Sequence, residues 1–99
     1  MRIHFEQTGG IMGRKVRLDL DSSALSDDEL ESLRQALDEA DFFSLPEELT
    51  TRLVPDELHY LVTVETETIT HSVRASDTSA PPKLSALIQN LSLLARTRR

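Results

Sequence analysis

The 99-residue chain has no cysteine. It can therefore form no disulfide, no thiolate zinc site and no cysteine nucleophile, and its fold must rest on packing. It also lacks long apolar runs. The opening Met1-Arg2-Ile3-His4-Phe5-Glu6 holds no stretch of signal-peptide length, and no later segment approaches the roughly 20 apolar residues of a membrane span. A cytoplasmic protein with no membrane partner is the expectation, with export by an unusual route left open. Basic excess is missing too. Seventeen acids against eleven Lys and Arg give a net charge of -6 and a pI near 4.9, which repels phosphate backbones and argues against nucleic acid as a partner. Glycine is scarce, and all three lie at positions 9, 10 and 13.

What is present suits one domain spanning residues 1–99. The composition is 38% hydrophobic and 28% charged, close to the globular average. A chain of this size buries roughly 60–70% of the surface its unfolded form exposes. Ile3 and Phe5 alternate with Arg2, His4 and Glu6, a period of two that predicts a strand over about residues 1–7. Val16, Leu18 and Leu20 continue the alternation as a second strand, and the three glycines between make the pair a hairpin whose tip presents Ile11 and Met12.

Ser26 followed by Asp27, Asp28 and Glu29 reads as an N-cap with a capping-box glutamate. Leu30, Leu33, Ala36, Leu37 and Ala40 then recur at helical spacing, predicting an amphipathic helix over about 27–40. Phe42, Phe43 and Leu45 cluster at its exit, where the phenylalanines read as core, and Pro46 stops any regular continuation. Residues 46–58 read as a loop with one short helical turn around Glu47 to Thr50. Tyr60, Val62 and Val64 form a third strand, and after a tight turn near Thr66 to Thr68 the alternation resumes at Ile69, His71 and Val73. Pro81 and Pro82 open a last helix with a stripe of Leu84, Leu87, Ile88, Leu91, Leu94 and Ala95.

The order β-β-α-β-β-α is α+β, and its simplest solution is a four-stranded antiparallel sheet with two helices packed on one face. Following the chain direction, the loops at 8–13, 46–58 and 76–82 emerge at one end of that sheet.

Motifs for chemistry are wanting. The histidines lie in strands far apart, with His4 and His59 on the polar phase and His71 on the apolar one, so no metal of its own is expected. There is no nucleophile elbow, P-loop or dinucleotide fingerprint. Capping and solvation account for the pairs Asp27-Asp28 and Glu47-Glu48. The protein reads as a non-enzyme without a cofactor, working by binding another protein.

Several segments nonetheless form a pattern: residues 1–10 with Gly9-Gly10, then Ala40-Asp41-Phe42-Phe43-Ser44-Leu45-Pro46, the alternating residues 59–64, and His71-Ser72-Val73-Arg74 leading to Ser76-Asp77 and Ala80-Pro81. Together they cover nearly the whole chain, which resembles the emfourin family, small bacterial inhibitors of protealysin-like metalloproteases of the thermolysin group. One departure is Glu65-Thr66-Glu67-Thr68, where family members commonly carry a glycine-containing turn.

The resemblance implies a noncanonical protease inhibitor, and a monomer when free is the expectation for a chain of this kind. In such an inhibitor a loop carboxylate coordinates the protease's catalytic zinc while apolar residues of a neighbouring loop fill substrate subsites. Asp77 is the expected zinc ligand, with Asp56 and Glu57 as fallback carboxylates. Gly9, Gly10, Ile11, Met12 and Gly13, with Ser76 and Thr78, make up the expected protease-binding loops. The alternative from composition alone is a small acidic adaptor domain unrelated to proteases, which would tolerate changes in these loops and bind through its sheet face or last helix.

Overall fold

The computed structural model describes residues 1–9, 15–49 and 57–97. Within these residues the chain forms strand β1 (Arg2–Gly9), strand β2 (Val16–Asp21), helix α1 (Asp27–Glu39), strand β3 (Leu58–Glu65), strand β4 (Thr70–Ser76) and helix α2 (Pro82–Thr97). The strands make one antiparallel sheet in the order β2-β1-β3-β4. The α+β order and the hairpins are therefore those read from the sequence.

The period of two in each strand becomes rows of apolar side chains across one sheet face. Phe5 lies opposite Leu18 on β2 and Val62 on β3, and Val62 lies opposite Val73 on β4. All four are buried, in one core with Leu33 and Leu37 of α1 and Leu84, Leu87 and Leu91 of α2. Each such side chain contributes about 1.5–3 kcal/mol by leaving water. The other sheet face carries His4, Glu6, Arg17 and Asp19, with Thr63 bonded to Ser72 at 2.8 Å. Both helices thus cover a single face, as expected.

Helix α1 starts where the capping box places it. The Glu29 N–H donates to Ser26 Oγ at 3.2 Å, and the Ser26 N–H donates to Glu29 Oε1 at 3.0 Å. The helix closes at Ala40, and Asp41 takes a left-handed conformation at φ 50° that turns the chain away. A 3-10 turn at Phe42–Ser44 follows, one of two such turns with no clear sequence signal, the other being Ser22–Ala24. The turn sends the two phenylalanines in different directions: Phe42 enters the core at 1% exposure, whereas Phe43 is 38% exposed. Only Phe42 meets the expectation of a core residue. The His71 ring lies edge-on to Phe42, with Nε2 2.7 Å from the Leu45 carbonyl oxygen.

The helical turn expected around Glu47 is not formed at residues 47–49, and Thr50 lies outside the described residues. The Arg74 N–H donates to the Glu47 carbonyl at 2.7 Å and the Leu49 N–H donates to the Arg74 carbonyl at 2.9 Å, so these residues lie extended along β4. The physical reason is the sheet edge: β4 would otherwise leave Arg74 unpaired on that side, and a single isolated turn is a costly nucleus for little gain.

The turn between β3 and β4 also differs from expectation in its exit. Ile69 belongs to the turn and is 46% exposed, so the buried alternation begins only beyond it. Thr66 does the work of the missing glycine. Its N–H donates to the Ile69 carbonyl at 2.8 Å, and its Oγ1 accepts the Ile69 N–H at 3.1 Å.

Candidate functional site

Gly9 lies opposite Leu58, and His59 lies opposite Ser76. The chain therefore leaves β1, enters β3 and leaves β4 at one end of the sheet, which brings Gly9, Glu57 and Asp77 together. Gly10, Ile11, Met12, Gly13 and Asp56 lie outside the described residues, beyond the points where the chain departs from Gly9 and arrives at Glu57.

Asp77 follows directly on β4. Its N–H donates to the Leu58 carbonyl at 3.2 Å, extending the ladder by one step. The side chain is exposed, and both of its oxygens are engaged. Oδ1 accepts the Tyr60 hydroxyl at 2.5 Å, and Oδ2 accepts the Leu58 N–H at 3.3 Å. A carboxylate has about four lone-pair sites, so each oxygen keeps acceptor capacity.

Tyr60 lies on the inner phase of β3, its ring stacked on Phe5 at 6.3 Å and 15°. Burial, reinforced by the Asp77 carboxylate, pushes its phenol well above the usual tyrosine range, so it stays a proton donor throughout the physiological range. A line of contacts thus runs from the core through Phe5 and Tyr60 to an exposed carboxylate.

Glu57 has a different environment. It is 7% exposed, and its Oε1 accepts both the N–H and the hydroxyl of Thr78 at 2.5 Å each. These bonds hold its carboxyl below the ordinary glutamate range. Its ionised form therefore favours the folded state above the ordinary carboxylate range, a contribution lost as pH falls through the lowered value. Its second oxygen, Oε2, is buried and has no hydrogen-bond partner among the described residues. Of the expected site carboxylates in the described residues, Asp77 is open to a partner and Glu57 is spent on clamping residues 57 and 78 together.

Ser76 is also internal, at 1% exposure. Its N–H donates to Ser79 Oγ at 2.8 Å, while its carbonyl accepts the N–H groups of Ser79 at 3.1 Å and Ala80 at 3.0 Å. Thr78 is exposed but bound to Glu57. The stretch from 76 to 80 is a tight, self-bonded turn that holds Asp77 at its outer side. Sequence reasoning missed the clamp by Glu57 and the orienting role of Tyr60, because both depend on strand register. The one available signal was that Tyr60 shares the inner phase with Val62 and Val64.

Gly9 has φ +91°, a conformation side chains with a Cβ rarely adopt, and an added Cβ would lie 2.7 Å from the Glu57 carbonyl oxygen. Gly9→Ala is expected to destabilise the fold by about 2 kcal/mol, read as a melting temperature lower by roughly 8–16 °C. An unchanged melting curve would mean that this crossing of the chain contributes little.

Among the described residues no group of three or more His, Cys, Asp or Glu is arranged to hold a metal ion. The register places His4 and His71 on opposite sheet faces, His4 beside Asp19 at 2.6 Å and His71 beside Leu45. Among the same residues, no helix is long and apolar enough to cross a membrane.

The exposed, pre-oriented carboxylate of Asp77 thus stands at one end of the sheet of a small α+β domain, on the same side as Gly9, where β1 ends. The Emfourin family model matches residues 5–92, and the chain belongs to the Emfourin family. Membership suggests inhibition of a protealysin metalloprotease. No curated protein and no solved structure gives a significant match to it.

Proposed function

We propose that the whole chain acts as one inhibitory domain that blocks the active site of a protealysin-like, thermolysin-group zinc protease, with Asp77 as a ligand to the catalytic zinc. The observation that carries this reading is the state of Asp77: exposed, fixed from behind by Tyr60 and Leu58, and free to accept on its solvent side. A carboxylate oxygen at about 2.0–2.2 Å is an ordinary fourth zinc ligand, and it displaces the water that such enzymes activate. Because the side chain is already held, little rotamer freedom is lost on binding.

Ile11 and Met12 are the apolar residues assigned to the substrate subsites, on the loop that departs from Gly9. Gly9, Gly10 and Gly13 shape that loop, Thr78 borders Asp77 at the contact, and buried Ser76 and Glu57 hold the turn behind it. Asp56 is the remaining fallback carboxylate, and Glu57, being buried, is assigned to scaffolding.

Titration of the protein against a purified thermolysin-like protease, with a serine protease as control, tests the reading. Stoichiometric loss of the metalloprotease activity alone is the expected result, and retention of activity with several such proteases would favour the adaptor alternative. The double variant Ile11→Ser, Met12→Ser is expected to weaken inhibition by about 10- to 100-fold through lost apolar burial. Inhibition equal to the parent's would remove this loop from the interface.

A further inference from the structure

Strand β2 is the terminal strand of the sheet, and among the described residues no strand or bridge pairs with its outer side. Its free groups follow from the ladder with β1. The Ser22 N–H donates to the Met1 carbonyl at 2.9 Å, so positions 22, 20, 18 and 16 turn their backbone groups toward β1. By the same alternation, Arg17, Asp19 and Asp21 turn their N–H and C=O groups outward. Lys15, just ahead of the strand, continues the phase. The edge thus offers a short, regular set of donors and acceptors, a template for another strand.

The sequence of this edge is complementary to itself when reversed: Lys15-Val16-Arg17-Leu18-Asp19-Leu20-Asp21. We infer that this edge pairs antiparallel with the same edge of a second copy, about a two-fold axis through Leu18, joining two sheets into one of eight strands.

In that register Arg17 faces the partner copy's Asp19, and Lys15 faces its Asp21. Leu18 meets its own counterpart, and Val16 meets Leu20. Every outward-directed backbone group of residues 17 and 19 finds a partner, and opposed residues share a face, so charges meet on the polar face and apolar side chains on the helix-covered face. Antiparallel registers shifted by two residues either way place Arg17 against Arg17 or Asp19 against Asp19, so only the centred register sets every charge against its opposite.

The charges are available for this role. The Arg17 and Asp19 side chains are 64% and 69% exposed, and each is held upright by a neighbour on β1, Arg17 by Glu6 at 3.0 Å and Asp19 by His4 at 2.6 Å. The two-fold axis leaves both helical layers on the same side and points the two Asp77 ends in opposite directions. The dimer is therefore open to two partners at once, and the monomer expected from the sequence is the dissociated form at low concentration.

The test is sedimentation equilibrium of the full chain from about 1 µM to about 1 mM, in low salt and in about 1 M salt, where the Debye length falls to about 3 Å. A concentration-dependent dimer that weakens in high salt is expected, with amide exchange at Arg17 and Asp19 slowing as the dimer forms. Arg17→Asp alone or Asp19→Arg alone sets like charges across the axis and should weaken association at least 10-fold, whereas the double variant Arg17→Asp, Asp19→Arg should recover it. Arg17→Pro removes an outward N–H without touching the β1 ladder and should leave a folded monomer, checked by circular dichroism. A parent that stays monomeric to about 1 mM in low salt overturns the proposal. So does a dimer indifferent to Arg17→Pro, or a double variant no better than the single ones.

Discussion

Asp77→Ala is expected to raise the inhibition constant against a thermolysin-like protease by roughly two to three orders of magnitude, on the order of 3–4 kcal/mol of binding. The substitution removes the proposed zinc ligand and leaves a gap at the centre of the contact. The fold should barely notice. The two donors set free, the Tyr60 hydroxyl and the Leu58 N–H, sit beside an exposed position where water can replace the lost acceptor. The cost to stability is about 1 kcal/mol, a few degrees in melting temperature.

Two companion variants separate ligand from orientation. Asp77→Asn keeps an acceptor for Tyr60 but loses the charge that binds zinc, so it should inhibit almost as poorly as the alanine. Tyr60→Phe keeps the carboxylate but frees its rotamer, so inhibition should fall about 10-fold, the cost of immobilising one side chain. If Asp77→Ala inhibited as well as the parent, Asp77 would not be the ligand, and Asp56 would be the next carboxylate to replace, since Glu57 is enclosed.

Much of the fold was legible because it is dictated locally. The capping box at Ser26 and Glu29, the period of two in Ile3 and Phe5, and the helical stripe of Leu84, Leu87 and Leu91 each appear in the structure as read. What escaped the sequence depends on groups distant in the chain. Residues 47–49 lie extended because Arg74 offers them a sheet edge, and no local signal at Glu47 announces that. Phe42 and Phe43 look alike in sequence, and the left-handed Asp41 decides which of them is buried.

The site shows the same division. Nothing adjacent to Asp77 in the sequence orients it, yet Tyr60, seventeen residues earlier, does claim it. That claim turns a mobile turn residue into an oriented one, which favours the role assigned to it. Glu57 was a fallback for the same chemistry, and burial with Thr78 gives it a structural task instead. Gly9 was read as one of three glycines lending freedom to a hairpin tip. In the structure the need is specific, a positive φ and a carbonyl where a Cβ would stand.

The largest expected loss of stability comes from Phe5→Ala. Phe5 is fully buried, in the row formed with Leu18 and Val62, and its ring stacks on Tyr60. Deleting the ring costs about 3–5 kcal/mol through lost transfer energy and the cavity left behind. That is a large part of the roughly 5–15 kcal/mol that holds such a domain together. The melting temperature should drop by roughly 15–30 °C, read by circular dichroism. A drop under about 4 °C would mean that less than 1 kcal/mol depends on the ring and that the core is not centred there. Phe5→Leu refills most of the space with aliphatic surface but loses the ring stack, worth about 0.5–1.5 kcal/mol. It should remain folded at room temperature while leaving Tyr60 less well seated. Inhibition by Phe5→Leu then reports on the line from core to carboxylate: a several-fold loss in a folded protein would mean that the core positions Asp77 through Tyr60, and parental inhibition would mean that the turn at 76–80 suffices to do so alone.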